Sequence, residues 1–412
     1  MPDYTDWRGL LTASERYDNI QRISTKIAAA GIGHSGFEIE NEAYESALCR
    51  EDYDAACTAA LSAATAAAAS ATDAAPGTPH VPSEEESPET DPDEEPGIQI
   101  GPYESCHYVA SGVTAEVYRS RDRALKVIVE TRDIEPHNPA REAKVLGLLQ
   151  RPCIPLLETF WDQEQRFVLA FPYMPLTLGG LLDRGSPLTD KQIRAIFADL
   201  FTALRQIHSH GIIHRDIKPS AILLASPSGP AYLSDFGTAW HPQLSTMTEP
   251  AYTKILDIGT GPYRAPEVLF GNKSYGTAVD MWGSGAMLAE CCRRPTPKPL
   301  FESRAVHEDG NQLGLILSIF KTIGSPTRET WPEAVKFKTP PFDIYRVFER
   351  RGWESVLPEV APHWRELVSA LVRYNSSRAT AEQVGILNPF FFATLLTSPF
   401  SIKALQYPCL HE

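Results

Sequence analysis

His214-Arg215-Asp216-Ile217-Lys218-Pro219, followed by Asp235-Phe236-Gly237 and then by Ala265-Pro266-Glu267, is the stretch that decides the fold of this chain. Asp235 falls nineteen residues after Asp216. A single charged residue on a loop is ordinarily solvated, so Asp216, Lys218 or Asp235 alone carries little meaning; three motifs in this order do not assemble by chance. Upstream, from Tyr108, the chain reads as short β-rich runs, and after Leu188 it reads as helical periods. That is the order of a small sheet lobe followed by a larger helical lobe.

The ordered set resembles the eukaryotic protein kinase family, over about residues 102 to 395. The resemblance implies an α+β, bilobal protein kinase fold with a small β-rich N-lobe and a larger helical C-lobe. It also implies transfer of the γ-phosphoryl of ATP, with Mg2+, to a protein hydroxyl from a nucleotide held in the cleft between lobes. Carried over by position, Asp216 accepts or orients the proton of the attacking hydroxyl, Lys218 neutralises charge on the transferring group, and Asp235 ligates magnesium. A lysine two places after the catalytic aspartate is typical of serine/threonine rather than tyrosine kinases. Thr260 sits where such kinases support that lysine and aspartate.

A nucleotide triphosphate needs a backbone cradle, and Ala110-Ser111-Gly112-Val113-Thr114-Ala115-Glu116-Val117 occupies the place of a Gly-x-Gly-x-x-Gly-x-Val loop, with only the middle glycine kept. Seven residues beyond Val117, Ala124-Leu125-Lys126 reads as a strand, and Arg141-Glu142 opens the helical run AREAKVLGLL. A strand lysine gripping the α- and β-phosphates needs a helix glutamate to hold its ammonium; Lys126 and Glu142 are the candidates. In RFVLAFPYMP the resemblance makes Phe171 the gatekeeper and gives Met174 backbone hydrogen bonds to adenine. Val117, Ala124 and Leu223 then sandwich the ring.

YRAPEVLFG, Asp280-Met281-Trp282-Gly283, and a long insert with PLFESR, NQLGLILSIFKTIGSPT and Trp331-Pro332 resemble the cyclin-dependent kinases and their relatives. In that group Arg378 is placed to pair with Glu267. HNPARE stands where a cyclin-binding helix carries a recognisable hexapeptide, which argues against a cyclin partner. The activating threonine of those kinases falls on Ile255, leaving Ser245, Thr246, Thr248 and Thr253 off register. DIGTGPYRAPEVLFG and the degraded glycine loop are similar to the monomeric CDK-activating kinases of fungi. This makes the expected protein substrate another kinase and the expected state a monomer. Ala221 stands where active kinases place an asparagine that binds the second magnesium, and a methyl group cannot coordinate a hard cation. With Ala110 and Ala115, it supports an alternative: a pseudokinase scaffold binding nucleotide or a partner without efficient catalysis. A purely structural module binding no nucleotide is the third alternative.

Ahead of the catalytic motifs, residues 12 to 30 read as an amphipathic helix, with Thr12 and Glu15 as a capping box and Tyr17, Ile20, Ile23 and Ile27 at helical spacing. A second helical stretch begins at about Gly36 and runs through Tyr44, Leu48, Cys57 and Leu61 into an alanine-rich tract. Either a helical appendage or a docking module fits. The acidic run SEEESPETDPDEEP repels itself and cannot bury a core. The expected organisation is a helical extension over 1–75, an acidic disordered linker over 76–101, a kinase domain over 102–395 and a tail over 396–412.

Charge follows the same division. The first 100 residues hold 20 of the 52 acids and 5 of the 38 bases, so the net charge of -14 belongs to the extension and linker. The remainder is nearly neutral, against the basic face that nucleic acid needs. No run of apolar residues is long enough for a membrane span, and MPDYTDWRGL does not read as a secretory signal. Seven cysteines without a CxxC pair fit reduced thiols inside the cell, in nucleus or cytoplasm.

Overall fold

The computed structural model describes residues 36–70, 97–112, 114–129, 135–303, 312–342 and 346–387, with Trp7, Leu11, Glu15, Arg16, Asn19, Ile20, Arg22, Ile23 and Lys26. The acidic stretch 76–96, the tail 396–412, Val113 and most of the segment 12–30 lie outside these residues. Two compact units divide the chain: Met1–Ile134 with Leu157–Tyr173, and Glu135–Leu156 with Met174–Glu412.

In the first unit, the single helix expected from Gly36 is two, α1 (Gly36–Ser46) and α2 (Arg50–Ser70). Neither Gly nor Pro marks the break. Tertiary packing makes it: Tyr44 of α1 and Tyr53 of α2 both meet Trp7, with ring centroids 5.8 and 5.7 Å away, while Leu48 at the corner is left 72% exposed. Glu51 and Asp52 occupy the first turn of α2, where the positive end of the helix dipole favours them. Arg16 closes a buried bidentate pair on Glu40, Nε to Oε1 at 2.9 Å and Nη2 to Oε2 at 2.8 Å. Tyr53 donates to the same Glu40 Oε1 at 2.7 Å. Ala56, Ala60 and Leu61 of the alanine tract pack against this small core of Trp7, Leu11, Ile23, Ala43, Ala47, Tyr53 and Cys57.

The same unit contains an antiparallel sheet of six strands: β1 (Ile98–Ile100), β2 (Tyr103–Ser111), β3 (Ala115–Ser120), β4 (Arg123–Ile128), β5 (Glu158–Trp161) and β6 (Phe167–Pro172). The strand order is β1-β2-β3-β4-β6-β5. β1 begins within the last residues of the stretch read as linker. Alternation along the strands buries Ile100, Cys106, Leu125, Val127, Val168 and Ala170 together.

The second unit carries α3 (Pro139–Leu146), the short strand β7 (Leu176–Thr177), α4 (Leu178–Asp183) and α5 (Asp190–Ser209). The hairpin β8 (Ile222–Leu224) and β9 (Ala231–Leu233) follows, then α6 (Ala278–Cys292), α7 (Leu313–Ile323), α8 (Pro362–Leu371) and α9 (Ala381–Leu387). A capping box starts α5: the Gln192 N–H donates to Thr189 Oγ1 at 3.3 Å and the Thr189 N–H to Gln192 Oε1 at 2.9 Å. Its Ile193, Ile196, Phe197, Leu200, Phe201, Leu204 and Ile207 face is buried. All but the first residue of α6 are buried. A Cβ on Gly283 of this helix lies 2.9 Å from the Ile217 carbonyl oxygen, so only glycine lets the helix backbone approach the Asp216 loop this closely.

Asp199 on α5 accepts a hydrogen bond from the Ala231 N–H at 2.8 Å, pinning the β8–β9 hairpin to the helix. Burial raises its carboxyl from 3.8 to about 6, against the opposing effect of that hydrogen bond. Between those values the folded protein binds more protons than the unfolded chain, so stability from this group falls as pH rises through the window. Asp199→Asn keeps an acceptor and removes the titration. Its thermal midpoint relative to wild type is expected to become more favourable between about pH 4 and pH 7, tracked by circular dichroism; a pH-independent difference contradicts the assignment.

Candidate active site

Each unit carries its own set of the residues singled out by sequence. In the sheet, β3 and β4 pair with Val117 opposite Lys126, and β4 and β6 pair with Ala124 opposite Phe171. The period-2 alternation therefore sets Val117, Ala124, Lys126 and Phe171 on one face, opposite to the core face of Leu125 and Val127. At the β2–β3 turn the Gly112 N–H donates to the Ala115 carbonyl at 2.8 Å. Ala110 and Ser111, at the end of β2, lie opposite Val117 and Glu116. A Cβ on Gly112 meets nothing closer than the Ala115 oxygen at 3.7 Å, and its φ is not in the left-handed region. The chain's own packing does not require glycine there. Such room suits close approach of a phosphate to the backbone.

In the second unit, the Asp216 carboxylate is gripped on both oxygens. Thr260 Oγ1 donates to Oδ1 at 2.7 Å and Lys218 Nζ lies 2.6 Å from Oδ2. Lys218 also reaches Thr260 Oγ1 at 3.3 Å, closing a three-membered network. The carboxylate is thus fixed in orientation and keeps lone pairs for a substrate hydroxyl.

The backbone around Asp216 is held with equal care. Asp280, in the first turn of α6, accepts from the His214 N–H at 2.9 Å and the Arg215 N–H at 2.8 Å. His208 Nε2 lies 2.9 Å from the same Asp280 Oδ2. This grip holds Arg215 at φ 75°, in the left-handed region that residues other than glycine seldom adopt. Asp235 is also left-handed, at φ 62° and ψ 63°. The His214 ring packs edge-on against Phe236 at 4.8 Å and bonds the Ser234 carbonyl at 2.9 Å, joining the two motifs.

Glu142 is buried on α3, capped by Asn138, whose own N–H donates to the Gly237 carbonyl at 3.0 Å. The helix carrying Glu142 is therefore tied to the Asp235 segment through backbone. Lys126, its expected partner, belongs to the other unit. Leu223 lies on β8 opposite Tyr232, and Met174 follows the sheet unit directly, the two sharing a unit with Asp216, Lys218 and Asp235.

Ala221 is buried. Its carbonyl accepts from the Ser234 N–H and hydroxyl, both at 2.9 Å, so main chain braces the loop where a polar side chain is missing. Among the described residues no three His, Cys, Asp or Glu side chains cluster to hold a metal.

An aspartate locked between threonine and lysine, a second aspartate in the Asp-Phe-Gly turn and a sheet preceding helices define a phosphotransferase of the protein kinase type. Residues 103–391 match the protein kinase domain, and the chain belongs to that family. It is 36% identical over 253 residues to Serine/threonine-protein kinase csk1 of Schizosaccharomyces pombe, across 60% of this chain and 78% of that protein. It is also similar to a crystal structure of the yeast RNA Pol II CTD kinase CTDK-1 complex, with a TM-score of 0.56 and 24% identity over 77% of this chain and 97% of that one. The second likeness shows the fold. The chain is a serine/threonine protein kinase and works with ATP and a divalent metal.

Sequence reading noticed Asp280 only as a marker of the kinase branch, and it missed Glu249 altogether. Arg215 Nη1 donates to Glu249 Oε1 in a fully buried ion pair. Arg378 pairs with Glu267 as the motif implied, Nη1 to Oε1 at 2.5 Å and Nη2 to Oε2 at 2.7 Å. Among the described residues no helix is long and apolar enough to cross a membrane.

Proposed function

We propose that this kinase uses Mg2+ and ATP to phosphorylate serine or threonine in the activation segments of other kinases. The Asp216–Thr260–Lys218 network is the observation that carries the catalytic part. The likeness of DIGTGPYRAPEVLFG to the monomeric CDK-activating kinases of fungi carries the choice of substrate. In this reading Asp216 orients the acceptor hydroxyl and takes its proton, while Lys218 offsets charge on the transferring group. Asp235 holds the metal, Lys126 and Glu142 take the phosphate-gripping roles of their motifs, and Ala110, Ser111, Gly112 and Val113 line the triphosphate. Val117, Ala124, Phe171, Met174 and Leu223 receive the adenine. The metal, when bound, screens the phosphate charge. We place the kinase inside the cell, acting as a monomer without a cyclin. The test is Mg2+-dependent phosphate transfer to a panel of kinase activation-segment peptides beside a generic basic protein. Preference for the basic protein counts against the proposed substrate class.

Ala221 favours a second reading, a pseudokinase scaffold. Restoring an oxygen ligand with Ala221→Asn should lower the Mg2+ concentration for half-maximal activity about tenfold, the worth of roughly 1.4 kcal/mol. An active wild type whose Mg2+ response shifts in this way supports the kinase reading; a silent wild type that gains activity only in Ala221→Asn supports the scaffold.

A further inference from the structure

Among the described residues, the segment between Asp235-Phe236-Gly237 and Ala265-Pro266-Glu267 is organised around one acid. Glu249 has a side chain 1% exposed, and its ion-pair partner Arg215 is fully buried and adjacent in sequence to Asp216. Glu249 Oε1 also accepts the Ile255 N–H at 2.7 Å, and the Glu249 carbonyl accepts the Trp240 indole N–H at 2.9 Å. Tyr275 completes the lacing: its hydroxyl donates to the Ile255 carbonyl at 2.7 Å and lies 3.2 Å from Arg215 Nη1. One carboxylate therefore joins the residue preceding Asp216 to the backbone of the segment that ends in Thr260.

Two buried guanidinium groups, those of Arg215 and Arg141, are near this acid. Burial lowers the pKa of Arg141, on the same helix as Glu142; its own anion is Glu135, Nη1 to Oε2 at 3.4 Å, and the charges of Arg215 and Glu249 also act on it. Arg141 Nε, Arg215 Nη2 and Glu249 Oε2 are all buried without a hydrogen-bond partner. A buried guanidinium without an anion is strongly unfavourable, so Arg215 cannot keep its place unless something negative stands beside it. Many kinases supply that charge by phosphorylating the segment, which orders it through new arginine–phosphate pairs. Here the register position is Ile255, Ser245 is fully buried, and Thr246, Thr248 and Thr253 are exposed rather than buried beside Arg215.

We propose that Glu249 is a positioning residue that acts as a built-in anion: through Arg215 it holds the catalytic loop and the activation segment in register, so the kinase is active without phosphorylation of that segment. The proposal rests on the catalytic reading above.

The experiment compares phosphatase-treated wild type, its freedom from phosphate checked by intact mass, with Glu249→Gln and Glu249→Asp, using a basic protein substrate. Wild type is expected to keep its full rate after phosphatase treatment. Glu249→Gln keeps the shape and an acceptor for Ile255 but loses the charge. Its kcat is expected to fall on the order of 100-fold, the cost of misplacing a catalytic group by about 1 Å, with the ATP KM changed less than about threefold. Glu249→Asp should recover part of the rate. Should Glu249→Gln fail to fold, Glu249→Gln/Arg215→Gln removes both charges, and it is expected to fold with kcat still depressed. Three results overturn the proposal: wild-type kcat in Glu249→Gln, equal loss in Glu249→Asp and Glu249→Gln, or a dephosphorylated wild type that is silent until a second kinase phosphorylates it. A wild type silent in both states overturns the catalytic reading as well.

Discussion

Asp216→Asn is expected to lower kcat by about 10²- to 10⁴-fold, the range a positioned general base contributes. The variant should still bind nucleotide, because Asp235 and the sheet residues proposed to hold it are untouched. The amide keeps an oxygen for the Thr260 hydroxyl, which donates to Oδ1 at 2.7 Å. It removes the charge facing Lys218, 2.6 Å from Oδ2. The loss therefore concerns the proton and the electrostatics of the acceptor hydroxyl rather than the fold. Thermal midpoint, ATP-induced stabilisation and phosphate transfer should be measured on the same preparation. A variant with wild-type turnover removes Asp216 from the mechanism, and one that no longer responds to nucleotide shows that its role is structural.

Arg378→Met is expected to cost about 3–5 kcal/mol of stability, because breaking one side of a buried ion pair leaves the other charge unpaired. The Arg378 side chain is fully buried and that of Glu267 is 10% exposed, so solvent cannot take over. Arg378 also donates to the Ala278 carbonyl at 2.9 Å and stacks over Trp282 at 4.9 Å, tying the end of the domain to α6. Replacing both partners, Arg378→Met with Glu267→Leu, should recover much of the loss, since a well-packed apolar pair is close to neutral. Urea denaturation of the single and double variants measures the difference. A loss below about 1 kcal/mol in the single variant would place the pair among the weak surface bridges despite its burial.

What the sequence discloses and what it hides follow from how each feature is encoded. The motifs that carry Asp216, Lys218 and Asp235 are legible because a protein kinase domain tolerates few residue types there and keeps their spacing. Arg378 and Glu267, 111 residues apart, are legible for the same reason. Glu249 is one of 52 acids, and nothing in its neighbours marks it. Its role depends on the path the segment takes, which brings it beneath Arg215. The corner at Ala47–Cys49 is hidden differently: local propensity runs straight through it, and only the packing of Tyr44 and Tyr53 on Trp7 overrides that propensity. The shared face of Val117, Ala124, Lys126 and Phe171 follows from strand register, which a lone sequence supplies only through its resemblance to kinases.

The hold of Asp280 on the amides of His214 and Arg215 reaches across 66 and 65 positions of chain. During synthesis, the residues of the Asp216 motif are made well before the side chain that holds the His214 and Arg215 amides. A nascent chain ending short of α6 already contains Thr260 and Lys218, which hold the Asp216 carboxylate, but lacks the grip on the His214 and Arg215 amides, and such long-range contacts form only after the intervening loop has closed. The final alignment of the backbone before Asp216 is therefore expected late, once α6 is made and docked.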